Sequence, residues 1–157
     1  MNLSKIEARS ASQKRMNQPN RIRVLALGLI RNGDRTLLAE GYDAVKQQTF
    51  YRALGGGVDF GETSHDALRR EFQEELQAEL TNIKYLGCIE NLFVYNGQPG
   101  HEIIQLYQGD FTDPKFYQLE QVEFTEGDEK ATALWLDIKQ CKSGELRIVP
   151  EQFLEYL

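Results

Sequence analysis

The sequence has few cysteines, no long apolar run and a deficit of basic residues. Its two cysteines, Cys88 and Cys141, are too few for a structural zinc site and lack the CxxC spacing of a redox motif. Plain buried thiols fit better, and they favour a reducing, cytoplasmic location. No stretch approaches the ~18 apolar residues of a membrane span, and the polar first residues lack the apolar core of a secretory signal. We therefore expect no membrane partner.

The charge balance is acidic, with a net charge of −6 over 157 residues. A polymer nucleic acid is not expected as the main partner, because such binding draws most of its affinity from Lys and Arg on phosphates. A small anionic substrate can still bind through a metal ion that inverts the local field. The length predicts one domain at residues 19–157 after a loose tail at residues 1–18, and a homodimer is left open.

The stretch from 54 to 80 combines a glycine-rich loop with a helical pattern. Leu68, Phe72 and Leu76 recur every four residues and predict one buried helical stripe. Thr63 and Asp66 match the Ser/Thr-x-x-Asp/Glu capping box, so Thr63 is the expected N-cap.

Three glutamates lie beside this stripe. At about 100° per residue, Glu71, Glu74 and Glu75 share roughly 100° of arc, with Arg70 one turn below Glu74. Like charges at this spacing cost about 0.2–0.5 kcal/mol per pair, a penalty that a hard divalent cation would remove. Oxygen ligands of this kind suit Mg²⁺, Mn²⁺ or Ca²⁺ rather than zinc. The alternative is a solvated acidic face of a surface helix.

A longer pattern favours the metal-binding interpretation. The order G-x5-E-x7-R-E-U-x-E-E, with U a bulky apolar residue, is formed by Gly56, Glu62, Arg70, Glu71, Phe72, Glu74 and Glu75. This resembles the Nudix box of the Nudix hydrolase family, running here from Gly56 to Ala78. Gln77 stands where the family has the glycine that ends the helix. The residue at which this helix ends, and the turn that follows it, are therefore not predicted.

The resemblance implies an α+β fold, an α/β/α sandwich around a mixed β-sheet, and an Mg²⁺- or Mn²⁺-dependent enzyme. By resemblance Glu74 and Glu75 are the main metal ligands, and Glu71 is a ligand or the general base. Glu62 is an outer ligand or a prop for the loop. The carbonyl of Gly55 is expected on the metal, and Arg70 is expected to orient the glutamates.

Residues outside the box supply further candidates. Family members often take the general base from another loop, and Glu102, Glu126, Asp128 and Glu129 are available here, with His101 beside Glu102. Each of these is also compatible with an ordinary surface role. Expected substrate contacts come from Arg52, Gly56, Tyr95 and Trp135, where the arginine would meet phosphate and the aromatic rings would stack on a base or belong to the core.

The predicted activity is hydrolysis of the phosphoanhydride of a nucleoside diphosphate linked to another moiety. Tyr95 resembles the marker of the diadenosine polyphosphate subgroup, whereas Phe93 occupies the place where ADP-ribose pyrophosphatases have proline. Dinucleoside polyphosphates and nucleotide sugars are candidate substrates of this kind. A non-catalytic nucleotide-binding module and a metal-stabilised structural domain are the alternatives.

The remaining elements follow from local patterns. Asn32 and Gly33 predict a type I′ turn between two strands, and Pro150 is expected in the first turn of a terminal helix. The other predicted elements are strands at 22–30, 36–42, 49–53, 83–95 (two runs split at Gly87), 102–111 and 133–136, a long polar connection at 112–130, and a short helix at 137–142 closed by Gly144.

Overall fold

A computed structural model describes residues 20–157, so the predicted tail at residues 1–18 lies outside the described range. No helix within this range is both long and apolar enough to cross a membrane. The elements are β1 (Ile22–Asn32), β2 (Arg35–Asp43), β3 (Gln48–Arg52), β4 (Leu54–Gly57), α1 (Ser64–Leu76), β5 (Leu80–Tyr95), β6 (Gln98–Phe111), a 3₁₀ helix (Pro114–Tyr117), β7 (Gln121–Glu126), β8 (Glu129–Asp137), α2 (Ile138–Ser143) and a second 3₁₀ helix (Glu151–Tyr156).

One sheet contains these strands in the order β5-β6-β1-β2-β8-β7, with β3 paired to β2 and β4 paired to β1. Strand β1 is parallel to β6 and antiparallel to both β2 and β4. The sheet is therefore mixed, as the predicted α+β sandwich requires.

Apolar side chains alternate between the two faces of the sheet and form two core layers. Helix α1 covers one layer, through Leu68, Phe72 and Leu76, together with Phe111 and Trp135. The opposite layer is built from α2, the second 3₁₀ helix and the sheet, and includes Leu25, Leu27, Ile104, Leu106, Ile138, Cys141 and Phe153. Helix α1 therefore lies over one face, and its exposed side is free to carry charge.

The turn between β1 and β2 differs from the sequence prediction. Asn32 is a ladder partner of Arg35, so the loop residues between β1 and β2 are Gly33 and Asp34, with Gly33 at φ 59°. The predicted Asn-Gly turn is thus wrong by one residue. A turn of the type I′ pattern occurs instead between β5 and β6, where Asn96 and Gly97 have φ of 49° and 76°.

The polar connection predicted at 112–130 is wrong in its main feature. It contains a 3₁₀ helix and strand β7, in which Val122 and Phe124 are buried. Strand β8 is correspondingly longer than the predicted 133–136, because it pairs along β7 as well as β2. The C-terminal helix is a 3₁₀ helix, and Pro150 lies just before it at the N-cap rather than inside its first turn.

Two local features of the β5 region also differ from expectation. The runs expected on either side of Gly87 form one strand, with a register shift between Tyr85 and Gly87. Cys88 on this strand is exposed, so the expectation of a buried thiol is wrong there, whereas Cys141 in α2 is fully buried as expected, and neither is in a disulfide.

Candidate active site

The N-terminus of α1 forms as the sequence predicts. Thr63 is the N-cap, and its hydroxyl accepts a hydrogen bond from the Asp66 N–H at 3.1 Å. The helix packs closely on β1, since a Cβ added to Gly28 would lie 3.3 Å from Leu68 Cδ1. The polar side of α1 is thereby held beside β4 and its glycines.

Helix α1 ends at Leu76, and Gln77 adopts the left-handed conformation with φ 50° and ψ 40°. Its N–H bonds to the Gln73 carbonyl at 3.1 Å, and the Ala78 N–H bonds to the Phe72 carbonyl at 3.2 Å. Gln77 therefore ends the helix at the position where the family has glycine. A residue with a side chain costs about 1–2 kcal/mol in this left-handed backbone conformation.

Arg70 is the centre of the polar network. Its Nε and Nη2 donate to the two carboxylate oxygens of Glu62 at 3.1 and 2.6 Å, and Nη2 also donates to the Gly57 carbonyl at 2.8 Å. Its Nη1 donates to Glu71 at 2.9 Å and lies 3.4 Å from a carboxylate oxygen of Glu74. One guanidinium thus connects the loop after β4 to two of the three helix acids.

These contacts favour the ionised form of Glu62, the acid of the loop after β4. Hydrogen bonds from Arg70 hold the pKa of Glu62 below its ordinary value, against the opposing effect of burial. Glu62 also accepts the backbone N–H of Asp59 at 2.8 Å, which closes the turn ahead of the helix. This geometry supports the loop-prop role among the two roles predicted for Glu62.

Glu71 lies against the glycine run. A Cβ added to Gly56 would be 2.4 Å from the Glu71 carboxyl carbon, so only glycine leaves room for this side chain. The Glu71 side chain is 14% exposed. Burial raises its pKa, and the neighbouring Arg70 offsets part of that rise.

Glu75 carries the largest perturbation among the acids. Burial, the charge of Glu71 and the charge of Glu126 together raise the pKa of Glu75 to about 8, while Arg52 acts in the opposite sense. Glu74 differs, because its side chain is 60% exposed and its ion pair is with Arg70. Burial thus disfavours the ionised forms of both half-buried acids, and the charge of Glu71 adds to this effect at Glu75.

The structure brings some of the candidate site residues outside the box into contact with one another. Glu126, at the end of β7, forms an ion pair with Arg52 at 2.5 Å. Glu129 is the ladder partner of Glu126 across the Gly127–Asp128 turn. The charges of Arg52 and Glu126 both act on the pKa of Glu75, a relation that sequence spacing gave no reason to expect.

Glu102 is not brought to the box. Glu102 lies on the same face of β6 as Ile104 and Leu106, because every second side chain of a strand points to one side, and so it faces the layer on the side of the sheet away from α1. Its contacts are with Arg23 at 3.6 Å and Asn91 at 3.3 Å. His101, the next residue, points to the opposite face from Glu102 by the same alternation.

The aromatic candidates and Gly55 also have structural explanations. Trp135 is 6% exposed and donates its indole N–H to the Phe116 carbonyl at 3.0 Å, which leaves no ring face for a substrate. The rings of Tyr95 and Phe50 form a T-shaped pair with their centroids 5.8 Å apart, near the tip of the β5–β6 hairpin. Gly55 has φ 140°, and an added Cβ would lie 2.1 Å from the Ala26 carbonyl oxygen. The role of its own carbonyl stays a prediction.

Two contributors to the network were not expected from the sequence. The Gly57 carbonyl accepts from Arg70, and Asp59 lies 3.6 Å from the same guanidinium. A backbone carbonyl leaves no trace in the side-chain pattern. Asp59 could have been noticed three residues ahead of Glu62, as a second acid in the turn.

A family model of the NUDIX domain matches residues 19–157. The match covers most of the chain and includes both the glycine run and α1. The chain therefore belongs to the NUDIX family.

Among sequence relatives, the chain is similar to two proteins named NAD-capped RNA hydrolase NudC. It is 41% identical over 59 residues to the protein of Pseudomonas syringae pv. tomato, a match to 38% of this chain and 20% of that one. The protein of Pseudomonas fluorescens is 41% identical over 59 residues, covering 38% and 21%. The chain thus spans about a fifth of the length of these curated relatives.

Solved structures show the same fold at low identity. A MutT NUDIX hydrolase from Burkholderia pseudomallei has a TM-score of 0.58 and 22% identity, over 76% of this chain and 86% of that one. The E. coli ORF135 protein has a TM-score of 0.54 and 22% identity, over 86% and 87%. These likenesses concern the fold alone.

Proposed function

We propose that this protein is a divalent-cation-dependent hydrolase that cleaves the phosphoanhydride of a nucleoside diphosphate linked to another moiety, by attack of water. The observation that carries the proposal is the arrangement around Arg70, which holds Glu62 and Glu71, with Glu71 against Gly56 and Glu75 half-buried on the same helix. Half-buried negative charges of this kind destabilise the protein unless a cation balances them.

The donor set fits Mg²⁺ or Mn²⁺. Carboxylate oxygens are the ligands these ions prefer, and a cation beside Glu71 and Glu75 would oppose the effect of burial, which raises the pKa of both groups. Within residues 20–157, no group of three or more acidic, histidine or cysteine side chains is arranged so that it could hold a metal ion by itself. The remaining ligands would then come from water and substrate phosphate, with Glu74 able to turn in from its exposed position.

A bound cation would neutralise the phosphate and stabilise the charge that develops on it. The chain's own residues prepare for this. Arg70 fixes the Glu71 carboxylate by a charge-assisted hydrogen bond, and Glu62 in turn fixes Arg70 through both of its oxygens. Gly56 keeps the approach to Glu71 open because it has no Cβ. These residues hold the acids in place before substrate arrives.

The substrate is proposed to be small. The net charge of −6 disfavours a polymer that binds mainly through phosphates. The name of the NudC relatives makes NAD and other dinucleotides with a central diphosphate the first compounds to test, beside dinucleoside polyphosphates and nucleotide sugars. The unpaired thiols of Cys88 and Cys141 support a cytoplasmic location.

The test is product release from a panel of these compounds, with ADP-ribose and nucleoside triphosphates added. Each is assayed with Mg²⁺, with Mn²⁺ and with a chelator, using the wild type, Glu75→Gln and, as a matched control, Glu79→Gln just beyond α1. We expect cation-dependent turnover that falls about 100-fold in Glu75→Gln and is unaffected in the control.

Other outcomes support the two alternatives. If the wild type is inert on every compound while nucleotides raise its melting temperature, the protein is a nucleotide-binding module. If chelation lowers the melting temperature strongly and no nucleotide raises it, the cation is structural. Either result would overturn the hydrolase proposal for this panel.

A further inference from the structure

Glu102 is a buried carboxylate whose hydrogen-bonding capacity is largely unused. Its side chain is 9% exposed. An ionised carboxylate offers about four acceptor positions, yet within residues 20–157 only the Asn91 amide donates to it, to Oε2 at 3.3 Å. The guanidinium of Arg23 lies 3.6 Å from Oε1, beyond hydrogen-bond distance. Since no buried side-chain oxygen of the described residues lacks a partner, Oε1 is in contact with solvent.

A second buried acid in the described part of the chain is satisfied in a different way. Asp43 is 3% exposed and accepts hydrogen bonds at 3.0, 2.9 and 3.2 Å from the backbone N–H groups of Val45, Lys46 and Asn96. Fixed donors therefore stabilise its charge. Glu102 has no comparable set, and burying a charge is costly when donors do not surround it. Glu102 is thus open to a donor from outside the chain.

An aromatic ring lies beside Glu102 on the same face of the β5–β6 hairpin. Phe93 pairs with Gly100, and two residues away Asn91 pairs with Glu102. The Phe93 ring lies across Gly100, since a Cβ added to this glycine would be 2.2 Å from Phe93 Cζ. Phe93 is only partly buried and belongs to neither core layer. One side of the ring therefore rests on the strand, and the other side faces away from it.

This face of the sheet leads to the glycine run of the candidate active site. Arg23 is the ladder partner of Glu102, and Leu25, two residues along β1, is the partner of Gly57. Glu102 and Gly57 therefore share a face, about 12 Å apart across two strand spacings and two residues of rise. A Cβ added to Gly57 would meet no atom within 4 Å. A ligand at Glu102 thus has open space beside the glycine whose carbonyl accepts from Arg70.

We propose that Glu102 and Arg23 bind the edge of a guanine base that stacks on Phe93, so that this protein prefers guanosine nucleotides. The Glu102 carboxylate accepts the guanine N1–H and N2–H groups, and Arg23 donates to the neighbouring O6. This inference rests on the proposed function and deepens it, because it names the base of the substrate.

The chemistry of the bases favours guanine. An ionised carboxylate accepts hydrogen bonds and cannot donate them. Guanine alone among the common bases has two neighbouring N–H donors on its Watson–Crick edge, with an acceptor beside them that suits an arginine. Adenine would place its amino group against Arg23 and its N1 acceptor against Glu102. Buried polar groups left unpaired in this way discriminate strongly between ligands. Stacking on Phe93 contributes to the affinity for every base, because every base has a π-face.

The first arm of the test needs no variant. Guanosine, inosine and adenosine 5′-monophosphates are titrated into the full chain in a calorimeter, with a chelator present. Inosine monophosphate differs from the guanosine compound only by the missing N2 amino group. We expect guanosine monophosphate to bind at least about tenfold more tightly than inosine monophosphate and about 100-fold more tightly than adenosine monophosphate. Equal affinities, or no binding of the guanosine compound, would overturn the inference.

The second arm exchanges the carboxylate for an amide of the same size. Glu102→Gln should reverse the preference from the guanosine to the adenosine compound, because an amide pairs with adenine through one donor and one acceptor. Glu90→Gln is the matched control, since Glu90 is exposed and pairs with Ile103 on the other face of the same hairpin. Phe93→Leu should weaken all three nucleotides about tenfold without changing their order. An equal loss for all three in Glu102→Gln would show that the acid only supports the fold and would refute the inference.

Turnover separates this inference from the hydrolase proposal. Among hydrolysed compounds, those with guanosine should exceed their adenosine counterparts about tenfold in kcat/KM, and Glu102→Gln should raise KM for them with little change in kcat. If no compound is turned over, the hydrolase proposal fails, yet the titrations still decide whether guanine is bound. If guanosine and adenosine compounds are hydrolysed equally well and their monophosphates bind equally well, the inference fails and the hydrolase stands.

Discussion

Replacing Glu75 by glutamine should stabilise the metal-free protein at alkaline pH while it destroys activity. The pKa of Glu75 in the folded chain is about 8, against an ordinary value of 4.5. Below pH 4.5 the carboxyl group is protonated in both the folded and the unfolded chain, so it does not lower the free energy of unfolding. Above pH 8 it is ionised in both, and the folded state carries the full cost of the buried charge. The free energy of unfolding therefore falls as the pH rises through this window.

The size of the effect follows from the same values. The difference between 8 and 4.5, at about 1.36 kcal/mol per pKa unit, bounds the loss at roughly 5 kcal/mol. Glutamine avoids this cost but must still find hydrogen-bond partners, so a net gain of about 2 kcal/mol is the working expectation. For a chain of this length that gain raises the melting temperature by about 4–8 °C.

The measurement is urea unfolding of both proteins in a chelator, at about pH 5 and about pH 9, values that lie near the two ends of this window. Glu74→Gln is the matched control, because its side chain is 60% exposed and its removal should change stability by less than about 1 kcal/mol. The reasoning is refuted if Glu75→Gln is no more stable than the wild type at pH 9, or if its advantage is equally large at pH 5. Added Mn²⁺ should stabilise the wild type more than the variant.

Three further changes test the site and its helix. Gln77→Gly should stabilise the fold by about 1 kcal/mol, since glycine adopts the left-handed φ of 50° without strain; thermal unfolding checks this, and a lower melting temperature would contradict it. Gly56→Ala places a methyl group 2.4 Å from the Glu71 carboxyl carbon, so Mn²⁺ affinity should fall about tenfold in a calorimetric titration. Arg70→Lys keeps the charge and loses the fork to Glu62 and Glu71, so kcat should fall about 100-fold with an unchanged circular dichroism spectrum; near-normal kcat would show that charge alone suffices.

Helix α1 could be predicted from the sequence because the signals that define it are local. Leu68, Phe72 and Leu76 repeat at the helical period, and the Thr63 cap lies within one turn of them. Strand β7 was missed for the opposite reason. Its two buried residues, Val122 and Phe124, lie in an acidic segment, and their burial depends on packing under a helix that is distant in sequence.

The acids outside the box show the same limit more sharply. The sequence gives no reason to prefer one of the acids Glu102, Glu126 and Glu129 over the others. Only their positions in the sheet distinguish them. The pleat turns Glu102 away from α1, whereas pairing of β7 with β8 sets Glu126 opposite Glu129, and the charge of Glu126 acts on the pKa of Glu75. A choice that depends on which face of a strand is used, and on which strands are neighbours, requires the three-dimensional fold.

The contrast between the two cysteines gives this protein a built-in reporter. Cys88 is exposed, whereas Cys141 is fully buried and its burial raises the pKa of its thiol. A thiol reagent should therefore modify one cysteine of the native chain quickly and the other only when the layer around α2 opens. The mass of the second adduct, followed over time in each variant, would record that opening directly, with no engineered label and no change to the active site.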